Sequence, residues 1–140
     1  QLEQFLKQKK DLRIKMEKET DSITSLSGGN QQKVVLAKWL ERDCDILIFD
    51  EPTVGIDPQS RNFILERIKK SNRNGATVIY TSHYMEEVEA ICTRIAIMDN
   101  GKIIATGTSE ELKKLVVEDT SSITLEEVFL TLTGKKLRDI

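Results

Sequence analysis

Residues 45–52, DILIFDEP, decide the fold. Ile46 to Phe49 is an unbroken apolar run, partly β-branched, closed by Asp50, Glu51 and Pro52. A run this short predicts a strand buried on both faces, the kind found in parallel sheets. Downstream, Pro58 follows Asp57 at a first helical position, and Phe63, Ile64, Leu65 and Ile68 carry a helix toward Gly75. ATVIYTS, residues 76–82, predicts a second buried strand. Strand, helix and strand make one βαβ crossover, so the fold class is α/β.

Outward from that unit the pattern is helical on the N-terminal side. Leu2, Phe5, Leu6, Leu12, Ile14 and Met16 are loosely at helical spacing, and a polar irregular stretch follows from Glu17 to Thr24. SLSGGN then opens a helix just after Gly28 and Gly29, with Ser27 near its N-terminus and Val35, Leu36, Trp39 and Leu40 on one face. On the C-terminal side, Tyr84–Ile91 reads as a helix and RIAIMDNGKIIATG as a hairpin around Asn100–Gly101. Thr108 with Glu111, and Thr124 with Glu127, are capping boxes; Gly134 lies beyond the end of the second helix. Glu118–Ser122 is the linker between them. Trp39, Phe129 and the Val and Ile residues of the strands are expected in the core.

Composition excludes several classes. The chain has 140 residues, with Lys+Arg 21 against Asp+Glu 23, so its net charge of −2 is not the basic excess of an electrostatic nucleic-acid binder. No apolar run is long enough to span a bilayer, and QLEQFLKQKK has no secretory apolar core. Cys44 and Cys92 have neither disulfide-scaffold density nor metal-ligand spacing, and are expected as buried thiols in a reducing cytoplasm. With a single histidine, no mechanism needing a His pair is open.

Two features suit phosphate chemistry. Ser27-Gly28-Gly29 opens a helix, where glycines admit an anion close to unpaired backbone donors; a plain helix cap gives the same letters. Asp50-Glu51 ends a buried strand, where α/β sheets bind ligands, and paired carboxylates there suit a water-bound Mg²⁺ and a base orienting a nucleophilic water. An acidic turn before Pro52 is the plainer alternative. His83 ends the second strand, placed to donate a hydrogen bond to a phosphoryl oxygen.

Together these stretches resemble the ABC-type ATPases. LSGGNQQ at Leu26–Gln32 is similar to the family's signature motif, Ile46–Glu51 to its Walker B strand, Val54–Asp57 to its D-loop, and His83 to its H-loop histidine. Order and gaps match, from about Asp11 onward. The resemblance implies that Asp50 binds Mg²⁺ through water, Glu51 polarises the attacking water, and His83 contacts the γ-phosphate. It implies that Asp57 communicates between dimer halves, and that Ser27, Gly28 and Gly29, with Gln31 nearby, grip the γ-phosphate of an ATP held by a second domain.

One departure matters. No G-x-x-x-x-G-K-[ST] P-loop occurs; AIMDNGKI at Ala96–Ile103 lacks the first Gly and the Ser/Thr and falls in the hairpin. The stacking aromatic and Q-loop are absent too. About 100 to 130 residues of an ordinary ABC domain are therefore expected upstream. Residues 1–117 are expected as part of the ATPase domain and 118–140 as a C-terminal helical extension. The chain alone is expected to be inactive, and its first strand to have an open edge that invites pairing with another copy.

PTVGIDPQSR, SHYMEEVEAICTRIAIMDNGKIIATGT and SSITLEEVFLTLTGKK resemble the ATPase subunits of drug, sodium and antibiotic exporters, whereas GNQQKVVLAKWL resembles sugar importers. The implied protein is an exporter's motor subunit using ATP and Mg²⁺. Its implied partners are a second ABC ATPase domain, as homodimer or pseudo-dimer, and a membrane permease on whose cytoplasmic side it sits peripherally. No nucleic acid is implied. A soluble ribosome- or DNA-associated ABC ATPase and a sugar-importer half are the competing readings.

Overall fold

The computed structural model describes residues 2–16, 22–42 and 44–134. The expected irregular stretch therefore lies outside the described residues from Glu17 to Asp21; beyond it Ile23–Ser25 is a single 3-10 turn. The chain divides into two compact units, residues 1–79 and 80–140, with the division inside a strand.

The first unit contains α1 (Leu2–Asp11), α2 (Gly28–Leu40), β1 (Ile46–Asp50), α3 (Pro58–Arg73) and the start of β2 (Thr77–Thr81). β1 and β2 are neighbours in a two-stranded parallel sheet, and α3 is the crossover between them. Thr77 donates its backbone N–H to the Asp45 carbonyl at 2.8 Å, joining the two strand starts. Pro58 opens α3 because its missing N–H costs nothing at a first helical position. Ile64, Leu65 and Ile68 then fall on one buried face of that helix, each burial stabilising by about 1.5–3 kcal/mol.

The strands depart from expectation. β1 alternates, with Leu47 and Phe49 buried while Ile46 is 61% and Ile48 69% exposed. β2 is not buried on both faces either, with Ile79 half exposed. A strand is buried twice only where a layer covers each face, and among the described residues β1 is packed on one.

Trp39 is a second departure, 45% exposed, with Lys38 Nζ 5.9 Å and Arg42 Cζ 5.8 Å from its ring centroid. The buried stripe of α2 is Lys33, Leu36, Ala37 and Leu40, so Val35 and Trp39 lie one stripe away. A lysine occupies a core position because its ammonium is paired, a feature that apolar periodicity does not reveal.

The second unit holds the end of β2, α4 (Met85–Ile91), β3 (Ile95–Asp99), β4 (Lys102–Gly107), α5 (Ser109–Lys114) and α6 (Leu125–Thr133). β3 and β4 form the expected antiparallel hairpin, with an irregularity between Ile97 and Met98. Asn100 and Gly101 both have positive φ, as a tight two-residue hairpin turn demands. Both capping boxes are formed, and Gly134 ends α6 in the left-handed region. Val88, Ile95, Ile97, Leu112, Leu125 and Val128 make the core, with Phe129 packed against it as expected. The cysteines are free thiols, half-buried rather than buried, and burial raises the Cys92 pKa.

Candidate functional site

In the first unit the site begins at the N-terminus of α2. Ser27 is the cap residue, but its side chain caps none of the helix's backbone N–H groups. Its hydroxyl instead accepts a hydrogen bond from Asn30 Nδ2 at 2.9 Å. Asn30 is held in turn, its Oδ1 accepting the Lys15 backbone N–H at 3.0 Å. By contrast Asp57, Thr108 and Thr124 all cap their helices with side-chain oxygens. The first amide donors of α2 are thus not taken up by the cap side chain, and they face a place where the helix dipole favours an anion.

The loop after β1 closes over this helix start. A Cβ on Gly29 would stand 3.2 Å from the carbonyl oxygen of Gly55, tighter than an ordinary contact, so a side chain there would crowd the loop. Gly55 itself has φ +71, in the left-handed region that suits glycine. Gln32 donates from Nε2 to the Pro52 carbonyl at 2.8 Å, tying α2 to the turn that follows Asp50 and Glu51. Gln31 is turned to its own segment, its Nε2 donating to the Leu26 carbonyl at 2.7 Å.

Asp57 joins three segments. It accepts from Lys33 Nζ at 2.5 Å, from the Ser60 backbone N–H at 3.0 Å and from the Ser60 hydroxyl at 2.8 Å. The Ser60 hydroxyl, wholly buried, also contacts the Leu12 carbonyl at 3.0 Å. The Lys33 ammonium foremost, then the two Ser60 donors, hold the Asp57 carboxyl far below the usual carboxylate range.

Ser27, Gly29 and Asp57 line one open groove of about 650 Å³ with Arg13, Lys15 and Lys33. Lys33 and Asp57 neutralise each other, which leaves Arg13 and Lys15 as the cationic wall. Arg13 has φ +50 just past the end of α1, where the Ile14 N–H bonds back to the Lys9 carbonyl. Asp50 and Glu51 are not among the residues lining this groove; they stand at the tip of β1, Glu51 with φ +45. The sequence reading missed Arg13, Lys15, Asn30 and Lys33. Asn30, three residues from Ser27, shares its helical face, a signal that could have found it; Arg13 and Lys15 are brought in by tertiary structure alone.

Among the described residues no group of three or more His, Cys, Asp or Glu side chains could hold a metal. His83, in the second unit, sits between the end of β2 and α4, its ring centroid 4.2 Å from that of Tyr84.

An acid-tipped strand, its crossover helix and a glycine-opened helix define part of a P-loop nucleoside-triphosphatase fold of the ABC ATPase type. The chain belongs to the AAA domain family, matched over residues 3–89 by the family described as "AAA domain, putative AbiEii toxin, Type IV TA system", and it is similar to proteins named as ABC ATP-binding proteins. It is 52% identical over 104 residues to the linearmycin resistance ATP-binding protein LnrL of Bacillus subtilis (strain 168), covering 74% of this chain and 33% of that one. Identity is 40% over 99 residues to the Nod factor export ATP-binding protein I of Ralstonia nicotianae, covering 70% and 31%. A solved ATP-binding subunit of an ABC transporter superposes with a TM-score of 0.81 at 23% identity, over 94% of this chain and 53% of that one, which shows the fold alone. The chain thus spans about a third of the length of these curated relatives. Among the described residues no helix is long and apolar enough to cross a membrane.

Proposed function

We propose that the chain is part of the ATP-binding and ATP-hydrolysing motor subunit of an ABC exporter, working with a second ATPase domain and a membrane permease from the cytoplasmic side. The observation that carries this is the α2 groove. Its helix-start donors are not capped by Ser27, its glycine lies against the Gly55 loop, and Arg13 and Lys15 flank it. Such a surface takes the terminal phosphate of a nucleotide.

In this reading Ser27, Gly28 and Gly29 donate to the γ-phosphate of an ATP seated on the partner domain, with Gln31 bracing the loop. Asp57 ties the helix start to α3 through Lys33 and Ser60, so displacement at the groove is transmitted to the crossover helix. Asp50 would hold Mg²⁺, which supplies charge neutralisation of the phosphates. Glu51 orients the attacking water, and His83 donates to the γ-phosphate. Residues 1–117 supply these parts and 118–140 the helical extension.

The export assignment rests on relatives at 40–52% identity that are named for resistance and export, which are nearer than a family-wide description that mentions a toxin system. ATP turnover tests the reading. The 140-residue chain, with no phosphate-cradling loop and lysine of its own, is expected to show none, whereas a complete subunit containing it hydrolyses ATP with Mg²⁺. Robust turnover by the chain alone, or none by the complete subunit, contradicts it.

A further inference from the structure

Among the described residues Glu87 is the acidic residue that is buried, at 4% exposure. A carboxylate removed from water is costly unless hydrogen bonds replace its hydration. Glu87 has them: the Tyr80 phenol donates to Oε2 at 2.6 Å, and the Ser82 hydroxyl donates to the same oxygen at 3.3 Å. Ser82 Oγ in turn accepts the backbone N–H of Tyr84 at 3.0 Å. His83 lies between Ser82 and Tyr84 in the chain, and its ring rests against the Tyr84 ring, tilted by 38°. Both sequence neighbours of the imidazole are therefore fixed, through one hydroxyl, to one buried carboxylate on the following helix.

A buried carboxyl that gathers hydroxyl donors does more than fill space. What the carboxylate adds is direction. It gathers two donors from the end of β2 and so fixes the turn between β2 and α4 in one geometry. We propose that Glu87 is a positioning residue that sets the orientation of His83, acting through Ser82 and Tyr84 and never touching the nucleotide. Its consequence for hydrolysis rests on the reading of His83 given above.

The chain has a single histidine, so its imidazole C–H resonances identify themselves. Glu87→Gln keeps an acceptor oxygen for both hydroxyls and is expected to leave the His83 resonances in place. Glu87→Ala and Ser82→Ala are expected to move them toward the positions of a histidine in an unfolded chain, while the methyl resonances of Ile97 and Leu112 stay put. Ser82→Ala decides the matter if Glu87→Ala does not fold. Unmoved His83 resonances in the alanine variants, or a Glu87→Gln displacement as large as that of Glu87→Ala, overturn the proposal. In the complete subunit, Glu87→Ala is expected to lower kcat about tenfold to a hundredfold with KM for ATP little changed, and Glu87→Gln to retain it. An unchanged kcat in Glu87→Ala where His83→Ala lowers it also overturns the proposal. If His83→Ala itself leaves kcat intact, the assignment of His83 fails instead, and the resonances still judge the positioning.

Discussion

At Glu51 the chain leaves β1 with φ +45, a left-handed conformation that costs a side-chain-bearing residue about 1–2 kcal/mol. Strain of this kind persists where a side chain has to be aimed. Because Glu51→Gly and Glu51→Ala both remove the carboxylate, their difference isolates the backbone. The glycine variant is expected to be more stable by about 1 kcal/mol in denaturant unfolding. Equal stability would show that the turn is relaxed. Asp57 carries a different kind of cost. Its folded pKa lies below the unfolded value of about 3.9, so its contribution is fully present above that value and is lost as pH falls through the lower, folded one. Asp57→Asn is expected to cost about 1 kcal/mol at neutral pH, since the carboxyl's 44% exposure screens the pair. It should also flatten the acid limb of the stability profile. A variant that keeps the wild-type acid limb would remove Asp57 from this role.

Among the elements, β1 is the sharpest test of packing, because adjacent residues face opposite ways. Leu47 is 5% exposed and Ile48 69%. Leu47→Ala is expected to cost about 3 kcal/mol, and Ile48→Thr no more than about 0.5 kcal/mol, by thermal or denaturant unfolding. Equal costs would mean that both faces of β1 are covered. The same strand shows where the sequence was legible. ILIF announced a strand, Pro58 a helix start, and Thr108 with Glu111 and Thr124 with Glu127 their caps, because each is a local rule obeyed locally. The exposure of Ile46, Ile48 and Trp39 was not legible, since burial depends on what lies opposite. Nor was the burial of Lys33, which follows from an ion pair 24 residues away along the chain.

At the scale of the molecule, the glycine motif at the start of α2 and the loop around Gly55 were readable as letters, and their contact was not. The letters placed an anion site at a helix start. The fold added Arg13 and Lys15 from a different segment, and the Gly29–Gly55 approach that a Cβ at Gly29 would crowd. The carboxylates at the tip of β1 lie outside the lining of this groove, so the proposed function gives the two sets of groups separate parts. In the function we propose, the groove grips a phosphate and the acidic tip serves hydrolysis. That division is the central claim. It is tested most directly by single-turnover ATP hydrolysis in the complete subunit with Glu51→Gln. The account predicts that ATP binding persists while the hydrolytic rate falls by about a hundredfold or more; hydrolysis at the wild-type rate would contradict it.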